Sequence, residues 1–188
     1  MGIAQFRFLE KIMKNSFFSK FAKLSLALLF VSCIAFVACK PEPEIDNPKS
    51  TPIEIAENDG IIGVWSCTYD SGYVETYTIT ATTFDAGSYS YAGNELKVIK
   101  TSDDSGYIYF KFTRAAKADW TYSEDPKEAP DVGKWYAVSY KNLKADSISL
   151  SGAYKSGGKT STDTIDEAIK EFTIGNGYFG TYSELKKQ

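Results

Sequence analysis

From Ile61 onward the chain alternates with a period of two, and this restricts its fold more than any other property. Ile108, Phe110 and Phe112 alternate with Tyr107, Tyr109, Lys111 and Thr113. Tyr136, Val138 and Tyr140 alternate with Trp135, Ala137 and Ser139, and Ile148 and Leu150 with Ser147, Ser149 and Ser151. Successive side chains of a strand point to opposite faces, so the pattern describes antiparallel strands with one face buried and the other wetter. Turn signals separate them at Asp70-Ser71-Gly72, Ala92-Gly93-Asn94, Asp103-Asp104-Ser105-Gly106, Asn142 to Asp146 and Asn176-Gly177. Strands are predicted near 61–70, 73–80, 83–91, 95–101, 106–114, 133–142, 146–153, 171–175 and 178–183. Eight or nine short sequential strands predict an all-β domain, an antiparallel up-and-down barrel or, alternatively, a β-sandwich. The phrase Asp-Ser-Gly-Tyr recurs at 70–73 and 104–107, but its flanks diverge at once, which fits reuse of a good hairpin turn rather than duplication.

One segment breaks the period. Thr164-Ile165-Asp166-Glu167 has the form of a capping box, and Ile165, Ala168, Ile169 and Phe172 follow on one helical face. A short amphipathic helix near the C-terminus is therefore expected to cover one side or end of the sheet before a final Asn-Gly hairpin.

Gly63-Val64-Trp65 stands in the first strand. With the strand count and the late helix, it resembles the lipocalin or calycin group, whose first strand carries a Gly-x-Trp. The resemblance covers residues 61–188 and implies a lipocalin-like barrel in which Trp65 closes one end against an arginine from a late strand. The only arginine after residue 38 is Arg114, mid-chain, so either Arg114 or a lysine has to take that part.

The N-terminal third has another character. Residues 24–38 are apolar, too short to cross a bilayer comfortably, and preceded by Lys14, Lys20 and Lys23, which is a signal-peptide profile. The run ends in Phe36-Val37-Ala38-Cys39-Lys40 and resembles the lipobox of bacterial lipoproteins, with Phe36 where leucine is commonest. The resemblance implies a signal peptide over 1–38, acyl chains on Cys39, and a durable membrane attachment, since two chains hold where one is marginal. Cys33 fits nearly as well by residue type but lies inside the apolar run. Met13 opens a more typical signal start than Met1, which puts translation of residues 1–12 in question. Residues 39–60 hold Pro41, Pro43, Pro48 and Pro52 among six acids and read as a disordered, extended tether. Lys40 after the cysteine resembles lipoproteins sorted to the outer membrane, which implies the periplasmic face or the cell surface.

Charge and composition exclude several classes. The net charge of −3 averages a basic leader, with five of the 21 Lys/Arg and one of the 24 acids in residues 1–38, and a remainder at −7. An acidic chain repels a phosphate backbone, so nucleic acid is an unexpected partner. The sequence has no histidine, which removes imidazole bases and ligands. Ala153 to Thr160 matches a loose phosphate loop, but no parallel β-α-β series accompanies it, so a Gly-rich turn and no nucleotide are expected. Cys67 is read as a buried free thiol lacking a base. Glu124, Asp125, Glu128 and Asp131 lie on an acidic loop without EF-hand spacing, and no metal or other cofactor is assigned.

The loop 115–132 carries Trp120 and Tyr122, and long loops in compact domains are often lids or binding loops. Trp120, Tyr122, Trp135 and Tyr109 are the candidate ligand-binding residues, and Gly63 and Trp65 the structural motif. The expectation is a non-enzymatic, lipid-anchored envelope protein taking a small apolar or amphipathic ligand in the barrel mouth. The alternative is a surface module that binds a host or envelope protein without a pocket.

Overall fold

The computed structural model describes residues 51–188, so Cys33, Cys39 and the leader lie outside the described residues. Strands β1 (Gly63–Thr68), β2 (Val74–Ile79), β3 (Thr83–Asp85), β4 (Ala92–Lys100), β5 (Gly106–Ala116), β6 (Tyr122–Ser123), β7 (Trp135–Lys141) and β8 (Ser147–Gly152) are followed by helix α1 (Ile165–Glu171) and β9 (Ser183–Lys187). Every pairing is antiparallel. The circuit runs β1-β2-β3-β4-β5-β7-β8-β9 and returns to β1, closing eight strands into a barrel. β6 stands outside the circuit, paired to the overhanging end of β5. Closure satisfies the edges that an open sheet would leave free, and a sandwich is excluded. The architecture is that of a lipocalin-like barrel.

Register sets which residues face in. The pairs Trp65 with Tyr77, Ile79 with Phe84, Phe84 with Gly93, Phe110 with Tyr136, Tyr140 with Leu150 and Ile148 with Leu185 share the interior. β5 and β7 are buried on their outer faces as well, because α1 and the chain after it lie over them. Tyr107 Oη there accepts from the Ile174 amide at 3.4 Å, its ring packs 5.6 Å from Phe179, and Ser139 Oγ meets Tyr182 Oη at 2.9 Å.

The helix starts where the capping box placed it. Thr164 Oγ1 accepts from the Glu167 amide and the Glu167 carboxylate accepts from the Thr164 amide. The strands expected at 171–175 and 178–183 are absent, and the last strand comes later, at Ser183–Lys187. The Asn176-Gly177 pair closes the helix instead of a hairpin: Asn176 Nδ2 donates to the Lys170 and Glu171 carbonyls at 2.8 Å each, and Gly177 takes φ +80°. Asn-Gly suits both roles because each needs the left-handed region. Phe172, Tyr178 and Phe179 are buried as cover rather than as sheet.

A second correction concerns Ala92-Gly93-Asn94, expected as a turn and found inside β4, with the turn earlier, at 86–91. Gly93 faces inward, and a Cβ there would lie 2.1 Å from Phe110 Cδ2 and 2.6 Å from the Lys111 carbonyl oxygen. Close approach of a ring, not turn geometry, requires this glycine.

Within the segment read as a spacer, Ile53 bridges Val98 along the side of β4 that short β3 leaves free. Glu54 pairs with Lys97 at 2.8 Å and Asp59 with Lys100 at 2.7 Å. Ile55 and Ile61 enter the core, so the chain reaches the barrel packed against β4.

Candidate functional site

The two ends of the barrel differ. At one, Trp65 is fully buried, its Nε1 donates to the Ile61 carbonyl at 2.9 Å, and Lys187 Nζ of β9 lies 5.0 Å from the ring centroid. A Cβ on Gly63, whose φ is +151°, would meet Lys187 Cε at 2.7 Å, so the bare glycine lets the lysine stem cross to the ring. The cation over the first-strand tryptophan is therefore a lysine from the last strand. Arg114 serves elsewhere: it donates to Asp85 Oδ1 at 2.9 Å and to the Gly87 carbonyl at 2.8 Å, fastening the β3–β4 loop.

Between the ends, aromatic rings occupy the interior. Phe84 stacks on Phe110 at 4.9 Å, Phe112 on Tyr136 at 4.7 Å, and Tyr91 meets Tyr136 edge-on at 5.3 Å. Tyr77 closes the group against Phe84 at 5.7 Å. An eight-stranded barrel is just wide enough to be filled by side chains or to hold one small ligand, and here rings take that width.

At the other end, the mouth, a carboxylate lies among phenols. Glu75 follows the turn after β1 and shares the inward phase of Tyr77 and Ile79. Tyr69 Oη donates to Glu75 Oε2 at 2.6 Å, Tyr77 Oη donates to Oε1, and the Cys67 thiol lies 3.6 Å from Oε2. Ser183 Oγ is 3.3 Å from Tyr69 Oη. Burial raises the Glu75 carboxyl, but the hydrogen bonds from Tyr69, Tyr77, Ser183 and Cys67 together outweigh it and hold the group below 4.5. The bond to Glu75 pushes Tyr69 up to about 12. Burial raises Tyr77, Tyr91 and Tyr136 as well. Partial burial also raises the Cys67 thiol. Among the described residues, Glu75 forms no ion pair with a lysine or arginine.

The residues chosen from the sequence divide. Tyr122, half-buried on β6, sits near enough to Tyr91 and Tyr136 to raise both phenols, which puts it at the mouth. Trp120 is at the tip of the β5–β6 hairpin, 76% exposed, with φ +66°, a region that bulky side chains avoid. Trp135 and Tyr109 lie on the outer wall: Lys111 Nζ is 5.4 Å from the Trp135 ring, and Tyr109 is fully buried. The Gly-rich turn after Ala153 closes on a protein group, the Lys159 amide donating to Tyr178 Oη at 2.8 Å. On the acidic loop, Asp125 Oδ1 accepts from the Lys127 amide and Asp131 Oδ1 from the Ser161 hydroxyl. Cys39 lies outside the described residues.

Sequence reasoning missed Glu75, Tyr69 and Tyr77. One signal was present: an acid in phase with Tyr77 and Ile79, on an alternating strand beside Asp70-Ser71-Gly72.

The arrangement defines a closed antiparallel barrel with Trp65 under Lys187 toward one end and a carboxylate among tyrosines toward the other. No protein family, curated protein or solved structure matches the chain.

Proposed function

We propose that the chain is a non-enzymatic lipoprotein of the lipocalin group that captures a small apolar or amphipathic ligand at its barrel mouth. The single observation that carries this is the asymmetry of the ends: Trp65, Ile61 and Lys187 seal one, while Glu75 and the rings of Tyr69, Tyr77, Tyr91 and Tyr122 line the other. Rings packed through the barrel support a ligand held at the mouth rather than in a deep cavity. A carboxylate already saturated with phenol hydrogen bonds suits holding a molecule better than converting one. The anchor is acylated Cys39 in the cell envelope, at the outer membrane, and residues 39–50 tether it to the barrel domain.

Two measurements test this. Mass spectrometry of the native N-terminal peptide is expected to give an acylated Cys39, and an unmodified Cys39 in membrane-free protein overturns the anchor. Titration of the full-length protein in nanodiscs with 2-phenylethanol, read by tyrosine and tryptophan fluorescence, is expected to saturate and to weaken in Tyr91→Ala and Tyr122→Ala. No saturable binding overturns capture.

A second reading, a protein-interaction module, is favoured by exposed aromatics on four loops at the mouth end: Tyr73, Tyr89, Trp120 and Tyr154. Under it, Trp120→Ala abolishes recovery of a partner from envelope extracts while solute binding is unchanged.

A further inference from the structure

The mouth carboxylate separates ligand classes, and the inference drawn from it rests on the capture reading above. Glu75 is half-buried, and every neighbour named around it is an uncharged hydrogen-bond donor: Tyr69, Tyr77, Cys67 and Ser183. A negative charge in partial burial with no cation beside it is costly unless something compensates. Phenol donors compensate in part, and a bound cation would complete it. Around the charge stand ring faces, with Tyr69 and Tyr73 stacked at 5.9 Å on the rim and Tyr77, Tyr91 and Tyr122 beyond. Rings of this kind attract an ammonium through their quadrupoles, the more so the less water lies between.

Three alternatives fare worse. An anionic ligand meets Glu75 and a chain whose residues 39–188 carry −7. A wholly apolar ligand strips water from the carboxylate and returns nothing. A hard divalent metal wants six or more oxygen ligands with several carboxylates among them, and no group of three Asp, Glu, Cys or His side chains converges among the described residues. We propose that the mouth binds a cationic amphiphile, an organic amine with an apolar body, through Glu75. The ammonium takes the Glu75 carboxylate while the apolar body lies on Tyr91 and Tyr122. Tyr69 is the donor that yields: it is 45% exposed, and its hydroxyl has Ser183 as a second partner.

The test compares three probes of one shape and different charge, 2-phenylethylammonium, 2-phenylethanol and 3-phenylpropionate, by calorimetry on the full-length protein in nanodiscs with empty nanodiscs as the blank. The amine is expected to bind most tightly and the carboxylate most weakly. Glu75→Gln is expected to weaken the amine about tenfold, the size of one desolvated charge contact, with less than about a threefold change for the alcohol. On the wild type, which needs no variant to fold, raising salt from about 20 to about 200 mM weakens the amine and not the alcohol. Alcohol binding equal to or tighter than the amine's, or amine binding indifferent to both salt and Glu75→Gln, overturns the amine assignment and leaves capture standing. Failure of all three probes overturns both.

Discussion

Gly93→Ala tests the interior packing most directly. The added Cβ would sit 2.1 Å from Phe110 Cδ2, 2.9 Å from its Cε2 and 2.6 Å from the Lys111 carbonyl oxygen. The ring cannot easily retreat, because Phe84 stacks on it at 4.9 Å and Tyr136 meets it at 5.7 Å. The carbonyl belongs to the β4–β5 ladder and moves only with the strand. Overpacking costs about 1–3 kcal/mol where side chains can shift; with backbone as one obstacle, the upper end, about 3 kcal/mol, is expected. At about 3 °C per kcal/mol for a domain of this size, the melting temperature falls by about 9 °C. Gly180→Ala is the control: nothing lies within 4 Å of its Cβ, so it is expected to be neutral or stabilising by up to about 1 kcal/mol through the unfolded chain. Urea and thermal melts of the full-length protein, read by aromatic fluorescence, measure both. Adding Phe110→Leu to Gly93→Ala should recover part of the loss, since contacting residues couple. A Gly93→Ala loss below about 1 kcal/mol would refute the picture of an interior filled to contact.

Other changes probe the ends and the mouth. Trp120→Gly removes a bulky residue at φ +66° whose ring is 76% exposed, so it should stabilise by about 1 kcal/mol in a urea melt, and a loss of stability would show that the ring packs. Trp65→Phe deletes the bond to the Ile61 carbonyl and thins the seal; a loss of at least about 1 kcal/mol is expected, and none would mean the sealed end contributes little. The Glu75–Tyr69 pair gives stability a dependence at both extremes. Glu75 is held below 4.5, so its contribution is complete above that value and is lost as pH falls through the lower folded value. Tyr69 is raised from 10.0 to about 12, so its contribution is complete below 10 and is lost as pH rises toward 12. Melts across pH should flatten on the acid side in Glu75→Gln and on the alkaline side in Tyr69→Phe, and unchanged limbs would contradict the hydrogen bond between them.

How much could be read without coordinates depends on how local each signal is. The alternation over 106–114 and 133–142 located β5 and β7, because period two is a property of consecutive residues. The capping box located α1 to the residue, since it is closed within four positions. Asn176-Gly177 and Ala92-Gly93-Asn94 were misread for one reason: a glycine or Asn-Gly pair reports that a special backbone or a close contact is needed, without saying which. Tyr109 and Trp135 were in the right strands but on the outer wall, because β5 and β7 are covered on both faces and polarity no longer marks inside from outside.

By itself the sequence determined an all-β antiparallel domain, the turns at 70–72, 103–106 and 142–146, the helix and the first-strand Gly63-Val64-Trp65, all carried by residues near one another in the chain. Tertiary structure alone decided that eight strands close, that Lys187 rather than Arg114 covers Trp65, and that Ser183, Tyr91 and Tyr122 come to the same end of the barrel as Glu75 and Tyr69. Each of these joins residues far apart in the chain. Barrel closure sets such pairings through the register of every intervening strand, and that sum of registers is written in no single segment.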